Sequence, residues 1–183
     1  MIYFTSDLHL GHANIIKLCD RPFSVVEEMD EALIANWNAR VTNADTVYIV
    51  GDLIFRNEKP AEEYLRCLKG RKRLIVGNHD RKWMGETDLP RFFESVDALL
   101  EIDACGKHVT LCHYPMMSWP NGGKKSSLHV HGHIHNNRGG AYWPLLRTMD
   151  RALNACIEVN GYMPVTLDEL VANNAAFRSG EDV

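Results

Sequence analysis

The sequence predicts an α/β sandwich containing a mixed sheet, and three observations lead there. Apolar runs at Ile2–Thr5, Thr46–Val50 and Arg73–Val76 have the near-continuous hydrophobicity of strands buried on both faces. Segments of helical periodicity separate them. Further on, Leu99–Ile102 and His108–Cys112 flank a turn near Gly106 and read as an antiparallel hairpin. Strands alternating with helices, followed by antiparallel pairing, belong to an α/β architecture.

Taken in order, the first strand ends in Ser6-Asp7-Leu8-His9-Leu10-Gly11-His12, a polar loop. Asn14 is placed to cap a short helix through Ile15–Leu18 or to reach a ligand. Ser24 with Glu27 predicts a capping box, and Val26, Met29, Leu33, Ile34 and Trp37 recur at helical spacing on a core face. The strand at 46–50 ends in Gly51-Asp52. Pro60 suits the first turn of a second helix, with Tyr64, Leu65 and Leu68 inward and Gly70 as its stop. Lys69, Arg71, Lys72 and Arg73 then complement that helix's C-terminal dipole as a solvated basic run. The strand ending at Val76 leads into Gly77-Asn78-His79-Asp80, and the second hairpin strand into His113. Ser127–His131 is a strand, 136–150 a loop, and Asn154–Val159 a last strand. Thr166 and Glu169 predict a capping box for a C-terminal helix, with fraying expected from about Ser179.

At 183 residues the chain is expected to form a single domain, 1–183, with its last few residues disordered. The net charge of -4 argues against a general nucleic-acid or membrane-surface binder. Five scattered cysteines form no CxxC pair, which disfavours a disulfide framework or thiolate zinc knuckle and fits a reducing cytoplasm. The opening run of apolar residues is too short for a signal peptide or membrane span.

The least accidental stretch is His129-Val130-His131-Gly132-His133-Ile134-His135, which holds four of the nine histidines. Neutral imidazole is the commonest metal ligand, and Gly132 marks the end of a strand from whose tip His133 and His135 project. His129 and His131, before the glycine, are assigned supporting or surface roles, and His108 an exposed one. Five strands thus end in a metal ligand or acid–base group: Asp7 and His9; Asp52; Asn78 and His79; His113; His133 and His135. In open α/β sheets, sites form outside the carboxyl ends of strands, so these residues are expected to meet.

In this order, Asp7-Leu8-His9, Gly51-Asp52, Gly77-Asn78-His79-Asp80, His113 and Gly132-His133-Ile134-His135 resemble the five sequence blocks of the calcineurin-like metallophosphoesterases. The resemblance implies a four-layer α/β/β/α sandwich with mixed β-sheets. It also implies two divalent ions, the first held by Asp7, His9 and His135, the second by Asn78, His113 and His133, with Asp52 bridging them. Ions roughly 3.5–4 Å apart clamp the attacking and leaving oxygens of an in-line displacement, and a bridging hydroxide would be the nucleophile. Imidazole, carboxylate and amide ligands without thiolate suit Mn foremost, or Fe, Zn, Co or Ni, better than calcium. His79, outside the ligand set, is assigned in the family to stabilising a phosphate oxygen or protonating the leaving group. The adjacent Asp80 is not assumed to be its partner, because neighbours on an extended chain point apart.

The protein phosphatases of this superfamily extend the second block to GDxxDRG; here Phe55 replaces the acid and Asn57 the last glycine, while Arg56 keeps the arginine. That departure disfavours a protein phosphatase. The Ser-Asp-x-His-Leu-Gly opening is similar to the phosphodiesterase branches. The implied activity is hydrolysis of a phosphate ester, a phosphodiester in the first instance, on a small phosphorylated and nucleotide-like substrate. His12, Arg56, Asn78 and His79 are candidate substrate contacts, with His79 and Asp52 catalytic. Trp119, Tyr142 and Trp143 either line a pocket or form satellite core. The alternatives are a non-catalytic scaffold or binding protein on the same fold, and, within the enzymes, a phosphomonoesterase or nucleotide pyrophosphohydrolase. Completeness of the ligand set argues against the scaffold.

Overall fold

The computed structural model describes residues 1–56 and 59–180. Its strands form two four-stranded sheets. In the first, β1 (Ile2–Thr5), β2 (Thr46–Ile49), β3 (Arg71–Ile75) and β4 (Phe93–Asp97) are parallel neighbours in that order. In the second, β5 (Leu99–Ala104), β6 (Lys107–Cys112), β7 (Ser127–His131) and β8 (Ala152–Asn154) follow in sequence. Only β5 and β6 pair antiparallel; β6–β7 and β7–β8 are parallel. The second sheet is therefore the mixed one, whereas both had been expected to be, and the antiparallel part is confined to the hairpin.

Strand alternation places the core. Tyr3, Val47, Ile49 and Leu74 face α2 (Val26–Arg40) and α3 (Ala61–Cys67), where Met29, Leu33, Trp37 and Leu65 meet them. Phe4, Tyr48, Val50 and Ile75 face the second sheet and pack on Val109, Leu111, Leu128, Val130 and Leu153. Each of these fully buried side chains contributes about 1.5–3 kcal/mol by leaving water. Beyond the second sheet, α5 (Trp143–Leu146) supplies Leu146 to a small cluster with Ile134 and Ala152, and α6 (Leu167–Ser179) packs against β8 and β1. The order is helix, sheet, sheet, helix. Among the described residues no helix is long and apolar enough to cross a membrane.

Local chemistry explains where the elements depart from expectation. Helix α2 starts at Val26 with Val25 as its uncapped N-terminus; the Glu28 carboxylate, not Glu27, folds back on the Ser24 N–H at 2.8 Å. The first short helix, α1, spans Ala13–Leu18, so Asn14 lies inside it and His12 at its start. Helix α3 stops at Cys67, and Gly70 (φ +88) instead makes the turn into β3, after which comes the one-turn helix α4 (Arg81–Met84). The basic run lies largely on β3, and Lys72 is buried: its Nζ donates to the Leu68 and Gly70 carbonyls beyond the end of α3, at 2.8 and 3.1 Å. Strand β4 was not foreseen, since Phe-Glu-Ser-Val-Asp is a half-exposed edge with weak alternation. The segment 136–150, read as loop, contains α5. The last strand ends early, at Asn154, whose side-chain Oδ1 accepts from the Cys156 N–H at 2.9 Å; this turn sends Ile157–Val159 into a 3₁₀ helix. At Thr166 the capping box forms as expected. Helix α6 continues through Ser179 and ends on Gly180; the disorder expected of the last few residues falls on 181–183, which with Asn57 lie outside the described residues.

Candidate metal centre

The expected ligands follow the C-terminal ends of β1, β2, β3, β6 and β7, and the structure brings all seven together. His9 Nε2 and His135 Nε2 lie 3.8 and 3.6 Å from Asp7 Oδ1. Asp52 Oδ2 stands 3.7 Å from His9 Nε2 and 3.4 Å from His113 Nε2, facing both groups of ligands. Asn78 Oδ1 lies 3.0 Å from His113 Nε2 and 3.0 Å from His133 Nδ1. Donor atoms bound to a cation at about 2.0–2.2 Å are separated from one another by roughly 2.8–3.6 Å. The site's spacings match that scale. Moreover, Asp7 Oδ1 and His9 Nε2 are buried and have no hydrogen-bond partner, an expensive state for polar atoms unless a cation satisfies them. The donor set fits divalent ions.

Backbone conformation aims these side chains. Asp7, His9, Asp52, His133 and His135 all adopt left-handed φ values of 57, 53, 54, 73 and 49°. For non-glycine residues each such conformation costs on the order of 1 kcal/mol or more and clusters at functional sites. The loops hold each other in place: the Asp7 and His9 N–H groups donate to the Gly51 and Asp52 carbonyls, both at 3.0 Å. Three glycines leave the necessary room. A Cβ on Gly51, Gly77 or Gly132 would lie 2.3 Å from His113 Nδ1, 2.2 Å from Asp52 Oδ1 or 2.3 Å from Asp7 Oδ2.

The electrostatics favour positive charge. Burial opposes ionisation of Asp7, but the imidazoles of His9, His135 and His113 around it hold its carboxyl well below the usual carboxylate range. Asp52 is likewise lowered, against its burial, by hydrogen bonding and attraction to His113. His113 is lifted to about 9 despite burial, by its hydrogen bond to Asp52 and the Asp7 and Asp52 charges. His135 rises to about 11, its burial outweighed by bonds to Cys19 and Glu158 and by the Asp7 charge. Divalent cations held by these residues would take the place of those imidazole protons.

Several supporting residues had gone unnoticed in the sequence. Asp80 accepts from the N–H groups of Gly77, Asp52 and Leu53 and from Trp83 Nε1, at 2.8–3.0 Å, fastening two ligand loops together. It makes no bond to His79. Ser6 Oγ and Cys156 Sγ both donate to Asp7 Oδ2, the thiol at 3.1 Å. His113 Nδ1 donates to the Val50 carbonyl at 2.8 Å and His135 Nδ1 to Glu158 at 3.0 Å, leaving each Nε2 turned toward the carboxylates. Glu158 in turn pairs with Arg21 at 2.7 Å. Only Asp80 and Ser6, each inside a motif block, carried a sequence signal.

His79 donates its backbone N–H to Asp52 Oδ1 at 2.8 Å, while its ring, 4.0 Å from Asp52 Oδ2, packs on Phe55 with centroids 4.1 Å apart. Burial lowers its pKa, opposed by Asp52 and reinforced by His9. His12, Arg56 and His79 line a groove of about 620 Å³ above the ligands, along with Asn136, Asn137 and Tyr142. His12 is neutral, pushed down to about 4 by burial and by His9. Asn78 is solvent-open beside them. A second recess of about 470 Å³ shares Phe55, Arg56 and His79 and adds Lys82 and Trp83.

The remaining histidines and aromatics sit elsewhere. His129 and His131, assigned supporting or surface roles, are fully buried in β7, bonded to the Thr110 and Gly132 carbonyls. His108 pairs with Glu101 at 2.8 Å and is partly covered. Trp119 packs on His129 and Trp143 on Phe177, as satellite core; only Tyr142 reaches the groove.

Residues 1–166 match the sequence profile of the calcineurin-like phosphoesterases. The chain belongs to that family. Calcineurin-like phosphoesterases are metal-dependent hydrolases of phosphate esters, and the clusters Asp7–His9–His135 and Asp7–Asp52–His113 are candidate metal sites here. An uncharacterized protein of Methanocaldococcus jannaschii, MJ1445, is 40% identical over 172 residues, covering 93% of this chain and 89% of its own. The Gene 66 protein of Mycobacterium phage D29 is 31% identical over 159 residues, covering 74% and 78%. Among solved structures, the protein of unknown function AQ665 from Aquifex aeolicus superposes with a TM-score of 0.71 at 30% identity, over 92% of this chain and 96% of that one.

Proposed function

We propose that this calcineurin-like phosphoesterase is a dinuclear phosphodiesterase acting on a small, nucleotide-like diester. The observation that carries the reading is the meeting of seven donor side chains beneath a groove that continues on both sides of His79. Asp7, His9 and His135 would hold one ion, Asn78, His113 and His133 the other, and Asp52 both. When bound, such ions, with manganese the first choice, supply Lewis-acid charge to the phosphoryl oxygens and acidify water. The chain's own part is alignment. Asp52, fixed by the His79 N–H, keeps both ligand groups in register. His79, braced against Phe55, would offer an N–H to a phosphoryl or leaving oxygen, and Arg56 would offset charge on the other side.

Two features favour a diester. The recesses of about 620 and 470 Å³ meet at His79, so a phosphorus centred there has room for a substituent on each side. Away from the ligands, the larger recess is lined by Asn14, Asn136, Asn137 and Tyr142, whose amides and ring suit a base and sugar. Five free cysteines fit residence in a reducing cytoplasm.

The test is an Mn²⁺-supplemented assay comparing bis-p-nitrophenyl phosphate with p-nitrophenyl phosphate, followed by cyclic and linear nucleoside diesters. Faster cleavage of the diesters is expected. Preference for the monoester would reverse the substrate assignment, and cleavage of neither with metal bound would favour a scaffold.

A further inference from the structure

We infer that Arg21 and Glu158 form a positioning pair that sets the affinity of the centre for one of its two ions, the one facing Asp7, His9 and His135. This rests on the dinuclear reading above. The two residues are 137 positions apart, yet Arg21 Nε and Nη2 donate to Glu158 Oε1 at 3.0 and 2.7 Å. Both side chains are sealed from solvent, at 0% and 1% exposure. Burying such a pair costs several kcal/mol per ion, and apolar replacements of similar volume are often equally stable or better. Stability alone is therefore a poor explanation for its presence.

The remaining contacts suggest a better one. Arg21 Nη2 donates to the Asp7 carbonyl at 2.7 Å and Nη1 to the Leu8 carbonyl at 2.8 Å. These carbonyls belong to the loop in which Asp7 and His9 hold left-handed backbone. The guanidinium fork thus pins the strained segment that aims two of the ligands. Glu158 Oε1 also accepts the His135 Nδ1 proton at 3.0 Å, which fixes the ring so that Nε2 faces Asp7. One ion pair governs Asp7, His9 and His135 together. None of its hydrogen bonds reaches Asn78, His113 or His133, which are held instead through the Val50 carbonyl, the Asp7 carboxylate and one another.

The consequence is selective. Carboxylates that orient a ligating histidine are worth about 10–100-fold in metal affinity. Calorimetric titration with Mn²⁺ should show two ions on the wild-type protein. In Glu158→Gln one of them should weaken by about 10–100-fold while the other keeps its wild-type affinity. Arg21→Lys, which keeps the charge but loses the fork, should show the same selective weakening and stands in if Glu158→Gln does not fold. The double variant Arg21→Met with Glu158→Leu should recover the melting temperature but not the lost affinity. The inference is overturned if both ions weaken alike, if neither does, or if the apolar pair restores binding. Should the wild-type protein bind a single ion, the dinuclear reading fails on its own, and the pair is then judged on that ion: weakened by Glu158→Gln, the inference stands; unmoved, it falls. If the wild-type protein binds no ion, both fall.

Discussion

Gly132 offers the most direct test of where Asp7 stands. It is absent from the positive-φ glycines, so its backbone conformation is open to alanine. What excludes a side chain is contact. A Cβ there would lie 2.0 Å from Ser6 Oγ, 2.3 Å from Asp7 Oδ2 and 2.9 Å from the Val50 carbonyl, whereas ordinary contact begins at 3.4 Å. None of the three can easily yield. The Val50 carbonyl lies 2.7 Å from Ser6 Oγ and accepts from His113 Nδ1 at 2.8 Å, and Asp7 Oδ2 accepts from the His133 N–H at 3.0 Å. Relief in Gly132→Ala therefore requires the Asp7 carboxylate to retreat by roughly 1 Å, several times the ~0.2 Å latitude of metal–ligand distances.

Overpacking of this kind costs about 1–3 kcal/mol in stability, and a 1 Å misplacement of catalytic groups costs on the order of 10² in rate. Gly132→Ala should accordingly stay folded while its kcat for bis-p-nitrophenyl phosphate, under saturating Mn²⁺, falls by about 10² or more. Gly123→Ala is the control, since a Cβ there meets nothing within 4 Å. Wild-type turnover in a folded Gly132→Ala protein would refute the reasoning, because Asp7 would then be able to move without consequence for the chemistry.

Gly77→Ala drives a Cβ to 2.2 Å from Asp52 Oδ1, so metal analysis should show both ions weakened, unlike the selective loss expected from Glu158→Gln. Asp52→Asn should abolish turnover and lower metal content; retained activity would remove the shared carboxylate from the mechanism. His79→Ala should keep both ions but lose about 10²–10⁴ in kcat, and loss of metal instead would make His79 a ligand. His129 supplies the pH test: burial pushes its imidazole down, against hydrogen bonds to the Thr110 and Tyr114 carbonyls. The unfolded chain then takes up this proton first, so its stabilising effect is complete above about pH 6.5 and declines as pH falls below it, with a slope of at most about 1.4 kcal/mol per pH unit. In urea melts the pH slope of His129→Gln should be smaller than the wild-type slope by up to that amount, His12 and His131 keeping their own contributions; an unchanged slope would mean the buried ring is not held neutral.

The ligands were legible because their signal is local and repeated. Each follows a strand whose apolar run is unmistakable, as Asp52 follows Val47–Val50 and His113 follows Val109–Leu111. The strand ends do the work of assembly, so sequence order sufficed to foresee the meeting of residues as distant as Asp7 and His135. Less was legible where a tertiary partner decides. Phe93–Asp97 becomes a strand because β3 offers it an edge, not because of its alternation. Ile157–Val159 has a strand's composition but is turned aside by one side-chain bond from Asn154. Arg21 and Glu158 had no readable spacing at all, since neither sits in a motif and their association exists only after folding.

The same distinction explains how the centre can be strained and still be specific. Five of its seven candidate ligands hold left-handed backbone, a conformation that no composition or periodicity signals and that an isolated loop would abandon. The segments keep it because buried groups outside the ligand set grip their backbones: Arg21 on the Asp7 and Leu8 carbonyls, Asp80 on the Gly77, Asp52 and Leu53 N–H groups. Glycines at 51, 77 and 132 remove the side chains that would otherwise occupy the ligands' places. Ligand identity is thus written in the motif blocks, but ligand geometry depends on residues that touch no ion. Substitutions at Arg21, Asp80 or Gly132 should therefore damage the chemistry while leaving every donor atom in the chain.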